Sequence, residues 1–436
     1  MRLHVICLLA ATALSTSLTT TTMAQTRSVA ENRANAANIT TELNPGDDLA
    51  GKNDERRVEE SFQPKGVELG QFLLFPSIEV GQEYNSNVFA TKEDVRGDFA
   101  TRVIGKARLR SRFREHALSA GAEVEQYSYW KYTDDSHLRA ESFLDGRYDF
   151  SKDWEANAFL QAFKRTEDRG SPDDAGGNEP TPIYGLTTRL GTRWADGGFT
   201  YGVTGQGDRR IFGDVDTSNG TEINNSDRDR WEYQVTGRTE YEMFPGYAAI
   251  AQVSANTRQY DDEFDDDGVD RSSYGFRAYT GIGVDITQVI RGDFLVGYLQ
   301  QNYDDERLSD PSGPAIKASF NWTPSRITLV VPSIERTVQE TTTTNASSII
   351  SNRGSLLVRH ELQRNIVLTG YAAATYEEFE GVDREDTTYE ARARFLWALA
   401  PEYYVGGEIG YRLRDSSNDR SSYDQTVATV RLGFRM

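Results

Sequence analysis

From about residue 73 to the end of the chain, runs of 12 to 16 residues alternate apolar and polar side chains with a period of two. In the run 98–113, DFATRVIGKARLRSRF, one set holds Phe99, Val103, Ala107, Leu109 and Phe113. The other set holds Arg102, Lys106, Arg108, Arg110 and Arg112. A helix would mix the two sets, whereas a strand separates them because successive side chains point to opposite faces. The run 137–150 repeats the pattern, with Leu138, Ala140, Leu144, Tyr148 and Phe150 against Arg139, Glu141, Asp145, Arg147 and Asp149. So does 386–399, where Tyr389, Ala391, Ala393, Phe395 and Trp397 oppose Glu390, Arg392 and Arg394. These runs exceed the five or six residues usual for globular strands. They satisfy the roughly 9–11 residues that a tilted strand needs to cross a bilayer.

Connections between the runs alternate in length. Short ones fall near 114–116, 151–153, 195–198, 245–246, 288–291, 324–325, 363–365 and 400–402. Mostly longer, polar ones lie between them, among them 168–181, 213–228, 261–271, 304–313, 341–348 and 415–421. Short periplasmic turns and long external loops are the signature of an outer-membrane barrel, and single-chain bacterial barrels have an even number of strands. The sequence therefore predicts an all-β fold: a transmembrane, antiparallel, up-and-down β-barrel of about eighteen strands, with 16 also compatible. The stretch 314–341 is the least regular, because Pro324 and Pro332 interrupt it. Aromatic residues at expected strand ends, including Trp130, Trp154, Trp194, Trp231, Trp322, Trp397 and Tyr403, suit the membrane–water boundary.

The amino terminus supplies the address. Arg2 precedes an apolar run from Val5 to Leu18, and Thr22-Met23-Ala24 gives small residues at −3 and −1 before Gln25. This reads as a secretory signal peptide over 1–24. The only cysteine is Cys7, so the mature chain has no disulfide or cysteine-ligated metal. Residues 25–70 are polar, charged and without period, and read as a flexible periplasmic segment ahead of a barrel over 71–436. No later segment approaches the length of an apolar membrane helix. The formal charge of −19 argues against nucleic acid as a partner.

The polar faces would line the lumen. Candidate lining residues are Glu79, Arg102, Lys106, Arg108, Arg110, Arg112, Glu123, Glu125, Tyr127, Arg139, Glu141, Arg147, Arg392 and Arg394. On the second strand, five cations share one face; Glu79 and Glu83 on the first strand and Glu123 and Glu125 on the third have the same parity. A carboxylate–guanidinium lattice across the first three strands is expected. Such charges can stabilise the sheet as cross-strand pairs or select solutes. No catalytic constellation appears, and the protein reads as no enzyme. His116, His137 and His360 sit at turns or strand ends without a serine–acid partner motif. The acidic run Asp261–Asp267 before Gly268 fails the calcium-loop spacing, since Tyr274 stands where the bidentate Glu is required. Neither a metal nor a cofactor is expected.

Residues 66–90, GVELGQFLLFPSIEVGQEYNSNVFA, resemble the opening of the putative β-barrel porin 2 family of outer-membrane proteins, abundant in alphaproteobacteria. The residues that carry the resemblance are Gly66, Leu69, Gly70, Phe72, Leu74, Pro76, Glu79, Val80, Gly81, Tyr84, Asn87, Val88 and Phe89. The resemblance implies an outer-membrane channel and, for some members, export of exopolysaccharide, with no catalytic residues to carry over. General diffusion of small solutes and a non-conducting structural or adhesion barrel remain alternatives. The partners expected are outer-membrane lipid and lipopolysaccharide, the barrel assembly machinery, and polysaccharide or its export proteins. The chain ends Leu432-Gly433-Phe434-Arg435-Met436, so the terminal aromatic that the assembly machinery reads in many barrels is displaced inward by two residues.

Overall fold

The structure, a computed structural model, describes residues 60–436 apart from Ser218, Thr287 and Gln288. The signal peptide and most of the polar segment expected over 25–70 lie outside the described residues. Eighteen long strands form the wall: β1 (Phe72–Asn85), β2 (Asp98–Ser111), β3 (Ala117–Tyr129), β4 (His137–Asp149), β5 (Trp154–Thr166), β6 (Pro182–Asp196), β7 (Phe199–Phe212), β8 (Arg230–Phe244), β9 (Tyr247–Tyr260), β10 (Ser273–Ile286), β11 (Ile290–Tyr303), β12 (Ser312–Ser325), β13 (Thr328–Gln339), β14 (Ser348–Gln363), β15 (Ile366–Glu380), β16 (Glu385–Ala398), β17 (Tyr403–Ser416) and β18 (Tyr423–Arg435). Each pairs antiparallel with its neighbours in sequence, and β1 pairs with β18 from Ser77↔Arg435 to Asn85↔Val427. The sheet thus closes and leaves no edge of β1 or β18 to lipid, as a membrane strand requires.

The period-two pattern sorts the side chains as expected. Along β1, Ile78 and Val80 are about half exposed on the outer face, while Glu79 is 3% exposed and Glu83 is 6% exposed inside. Lipid would solvate the apolar outer face; the charged inner face needs water or partners. Aromatic pairs ring the outer surface at the turn end: Phe150 stacks on Trp154 at 4.2 Å, and Phe199 packs on Tyr241 at 4.6 Å. Tyr84, Phe99 and Trp130 form a similar cluster at the opposite end. Inward aromatics lie over glycines of the next strand. A Cβ on Gly121 would come within 2.4 Å of the Phe143 ring, and one on Gly185 within 2.1 Å of Phe163.

Two boundaries differ from the sequence expectation. The turn expected at Pro324–Ser325 falls instead at residues 326–327, between β12 and β13. An irregularity between Trp322 and Ser325 takes up the difference, and Pro324 is tolerated because a strand end needs no donor there. Residues 60–70, grouped by sequence with the polar segment, are joined to the barrel. Val67–Leu69 pairs with Phe72–Leu74 through a turn in which Gly70 has φ +64°. This short strand continues the sheet where β18 ends. Phe62 packs beside Val367, Leu396, Ala398 and Tyr404 at the same rim, and its carbonyl accepts from Arg435 Nη2 at 3.0 Å.

The quoted family residues close the barrel. Asn87 is fully buried; its Nδ2 donates to the carbonyls of Thr91 (2.7 Å) and Asp424 (2.9 Å), and its Oδ1 accepts from the Thr91 amide. Gln425 returns a bond to the Asn87 carbonyl. Val88 is buried beside it, and Phe89 packs edge-on against Tyr132. Gly81 lets β1 approach β18, since a Cβ there would sit 3.2 Å from the Val430 carbonyl. The Pro76 carbonyl accepts from the terminal Met436 amide, and Tyr84 packs outside on Phe99.

Candidate functional site: a charged lumen crossed by a loop

The first three strands carry the expected lattice, with Arg102 and Lys106 at its centre. Arg102 donates to Glu83 of β1 at 3.0 Å and reaches Glu125 of β3 at 2.5 Å; the two carboxylate side chains are 8% and 10% exposed. Lys106 lies 3.1 Å from Glu79 and 3.6 Å from Glu123. Glu79 also meets Arg431 of β18 at 3.3 Å, so the lattice runs across the closing seam. Arg110 instead lies over the Phe75 ring, and Arg112 pairs with Glu68 of the short strand. These two serve the periplasmic rim. Arg108 shares their stretch of β2, opposite Phe75 and Gly121.

A second lattice continues the first round the wall, on β14–β17. Glu390 of β16 takes Arg353 of β14 at 2.9 Å and Arg412 of β17 at 3.1 Å. Arg394 pairs with Glu408, and Arg392 lies on the same wall. On β4, Glu141 meets Arg165 at 3.5 Å, Arg147 meets Asp149, and Arg139 lines the space above. Tyr127 stacks on His137 with ring centres 5.0 Å apart, beneath the Arg102 guanidinium. His116 stacks on Tyr148, and His360 exchanges a bond with Thr328. These three histidines are each packed on a ring or hydrogen-bonded within the wall.

Residues 167–181, expected as an external loop, run across the lumen. Glu167 receives both terminal nitrogens of Arg228, at 2.8 and 3.0 Å. Asp168 accepts from Arg412 of β17 at 2.7 Å, and the Gly170 carbonyl from Arg414 at 2.5 Å. Asp173 Oδ1 accepts from the Thr341 hydroxyl at 2.7 Å and the Thr342 amide at 2.9 Å, beyond β13. Arg169 holds Asp135, next to β4, at 2.8 Å and donates to the Gly177 and Asn178 carbonyls. β5 and β13 are eight strands apart in a ring of eighteen, so the loop spans nearly the full bore. At Gly170 a Cβ would come within 2.1 Å of the Tyr423 hydroxyl, so a larger residue there would have to displace that side chain.

The loop's charges divide in character. Burial raises the Glu167 carboxyl above its usual range despite Arg228, and raises Asp135 and Asp174 despite Arg169. At Asp168, whose side chain is still 56% exposed, the surrounding protein of the lumen also pushes upward by partial desolvation. The charge and hydrogen bond of Arg412, with the Gly170 amide, outweigh it and hold the carboxyl at about 2. Asp168 is therefore an anion at any physiological pH.

Beneath the loop is a chamber of about 450 Å³, lined by the contiguous arc of strands β14–β18 and β1–β5 that meets at the closing seam. Nine acidic and nine basic side chains line it, so its walls are charged but balanced. Tyr127, Tyr129 and Tyr371 add aromatic faces. Of the candidates named from the sequence, Arg102, Glu123, Glu125, Tyr127, Arg139, Glu141, Arg392 and Arg394 line this chamber, while Glu79, Lys106, Arg108, Arg110, Arg112 and Arg147 lie outside its lining. Sequence reasoning missed Asp168, Arg169 and Gly170, whose partners lie on strands far away in the chain. Among the described residues no group of three or more His, Cys, Asp or Glu side chains is arranged to hold a metal ion.

The family model described as "Putative beta-barrel porin 2" matches residues 60–436. The chain belongs to that family. The match begins at the first described residue, and membership places the chain among the porin-like outer-membrane β-barrel channels of Gram-negative bacteria. Among solved structures the chain is similar to OccK1 (OpdK) of Pseudomonas aeruginosa, at 10% identity and TM-score 0.44, over 83% of this chain and 99% of that one. It is similar to OpdO of the same organism, at 11% identity and TM-score 0.43, over 87% and 99%. It is also similar to the siderophore receptor PiuA of Acinetobacter baumannii, at 10% identity and TM-score 0.43, over 85% and 82%. No curated protein matches the chain significantly.

Proposed function

We propose that the protein is a passive diffusion channel for small polar solutes, with its selective region in the chamber under the 167–181 loop. The observation that carries the reading is the chamber itself: about 450 Å³, with equal numbers of acidic and basic side chains and tyrosine faces. Balanced charge gives little net ion preference, while fixed charges of both signs on the wall orient dipolar or polyhydroxylated solutes. The volume suits molecules of ordinary ligand size. Export of polysaccharide would need a continuous path for a polymer, and the crossing loop stands in that path. The outer leaflet, with lipopolysaccharide at the external loops, and the assembly machinery reading the Phe434 end belong to the same proposal as surroundings and route of insertion.

Purified protein in planar bilayers is expected to give discrete conductance steps with weak ion selectivity. Liposomes containing it are expected to swell in monosaccharides and amino acids, and not in large dextrans. A second reading, a closed structural barrel, is favoured by the density of ion pairs across the lumen. Silence in the bilayer at all voltages, from protein that is heat-modifiable on gels, would select that reading. A deletion strain that loses surface polysaccharide while the purified protein passes dextrans would select export.

A further inference from the structure

One seam of the wall is incomplete. Between β12 and β13 the registered pairs run from Ser325↔Thr328 to Lys317↔Glu335 and stop. β12 continues outward to Ser312, paired from there on with β11 alone, from Val296↔Ile316 to Gln300↔Ser312. β13 continues to Gln339, paired with β14 alone, from Arg336↔Asn352 to Gln339↔Ile349. Two strand edges of about five residues therefore face each other without a ladder at the outer half of the barrel.

The outer half of β13 has moved inward. Glu340, which follows it, is held by inward-facing Arg258 and by the hydroxyls of Tyr260 (2.7 Å) and Tyr303 (3.2 Å), from β9 and β11. The Val338 carbonyl accepts from Arg258 Nη2 at 3.1 Å. Val338 packs on Ile250, Tyr279, Leu295, Leu299 and Ala315, an apolar patch on the inner face of β9–β12. Beyond it, Arg271 Nη1 ties the Thr341 and Ala346 carbonyls. The first four residues of β14, Ser348–Ser351, are all buried, so this segment is covered on both faces. A wall strand exposes alternate residues to lipid; this one does not.

An unpaired edge at the membrane is costly, because lipid offers its N–H and C=O groups no partner. The two edges are in phase. Extending the ladder from Lys317↔Glu335 would set Ile316 opposite Arg336, Ala315 opposite Thr337 and Pro314 opposite Val338. That arrangement would return Val338 to the outer face beside Ile334 and Thr337 to the lumen beside Glu335, in keeping with the period of β13. Arg336 would lie near the external rim, where a long side chain can reach water.

We propose that the outer half of β13, which stays laddered to β14 while β14 stays laddered to β15 out to Ser348↔Glu380, is a hinged inner leaf that swings at the open β12–β13 seam. Stowed, it covers the apolar patch and narrows the lumen; released at Glu340, it re-pairs with β12 in the continuing register and widens the lumen. The re-pairing stands on the strand geometry alone. Its effect on conductance rests on the channel reading above.

Cysteine pairs read the two states, since Cys7 is the only native cysteine. A disulfide needs Cα atoms within about 7 Å. Lys317→Cys with Glu335→Cys, registered partners, is the positive control and is expected to oxidise readily. Ala315→Cys with Thr337→Cys is expected to oxidise slowly in the parent and about tenfold faster with Glu340→Gln. Tyr303→Phe, a milder loosening of the latch, is expected to give an intermediate rate, and it replaces Glu340→Gln if that variant does not become heat-modifiable. The oxidised 315–337 form is expected to show a larger single-channel conductance that dithiothreitol reverses. Crosslinking of 315–337 in the parent as fast as the control would overturn the stowed state. Equal rates in the parent and in a folded latch variant would overturn the hinge. Faster crosslinking with no conductance in any form would uphold the hinge and refute the channel reading.

Discussion

Releasing the crossing loop at its root is the sharpest test of its placement. Glu167 and Arg228 have side chains 8% and 7% exposed, joined by two hydrogen bonds, with the guanidinium 4.1 Å from the Phe212 ring centre. Glu167→Gln keeps the shape, removes the charge and turns one acceptor into a donor facing a donor. Losing one charge-assisted hydrogen bond here is worth about 1.5–3 kcal/mol. At tenfold for each ~1.4 kcal/mol, the undocked population should rise roughly 10- to 150-fold. The Asp168–Arg412 contact contributes less, since the Asp168 side chain is 56% exposed. Arg169 reports the change, because its side chain is 8% exposed when the loop is docked. Trypsin added to the external side of reconstituted vesicles should cut after Arg169 slowly in the parent and at least tenfold faster in the variant, with the barrel still heat-modifiable. Equal cleavage rates in folded parent and variant would refute the view that this pair docks the loop across the lumen.

Other consequences can be checked separately. Val203 is 53% exposed on the outer face and its neighbour Thr204 faces the lumen; Val203→Arg should cost roughly 2–4 kcal/mol in a urea titration of the folded barrel, and Thr204→Arg much less. Asn87→Ala, which leaves the buried partners at Thr91 and Asp424 unsatisfied, should lower barrel stability by about 2–4 kcal/mol and the temperature at which the gel band shifts. Arg394→Glu leaves the chamber with an excess of acidic lining, so the reversal potential in a KCl gradient should move toward cation selectivity. For pH, the carboxyls of Asp135 and Asp174 beside Arg169 are raised by burial in the docked state, so their burial on docking takes up protons and should favour docking as pH falls toward the ordinary Asp value of 3.8. The Asp168 anchor has the opposite sign and is lost only as pH falls through about 2. Fewer open excursions at mildly acid than at neutral pH are therefore expected in single-channel records, and more would contradict the assignment.

The wall was legible in the sequence because its physics is local. A charge at odd parity in β1 or even parity in β2 must leave the lipid, and Glu79, Glu83, Arg102 and Lys106 accordingly face inward. Strand order followed from turn length in the same way. What fills the lumen was not legible. The segment Glu167–Thr181 has the Asp, Gly and Pro content of any external loop, and its partners Arg228, Arg412, Arg414 and Thr341 are set by tertiary distance. A single arginine, Arg169, among six acidic or amide residues was the one local hint that the loop is pinned rather than solvated. The irregular stretch 314–341 gave a clearer signal. Pro324 and Pro332 drew attention to it, but the β12–β13 ladder persists on either side of both and stops beyond Lys317↔Glu335, beside Pro314.

The crossing loop and the stowed leaf are physically joined. Asp173 at the tip of the loop binds the Thr341 hydroxyl and the Thr342 amide, while Arg271 binds the Thr341 carbonyl from the other side. Thr341 follows Glu340 directly, so the latch of the leaf and the far anchor of the loop are adjacent residues of one chain segment. Moving the leaf outward must pull Thr341 from Asp173 or carry the loop tip with it. Docking the loop, in turn, adds hydrogen bonds to the stowed leaf alone. Any free energy that Asp173 contributes to loop docking therefore counts equally against leaf release, by the reciprocity that governs coupled equilibria. The lumen is in this way controlled by one connected unit, anchored at β5, β9, β11 and β17, and the charged wall supplies the rigid frame against which it moves.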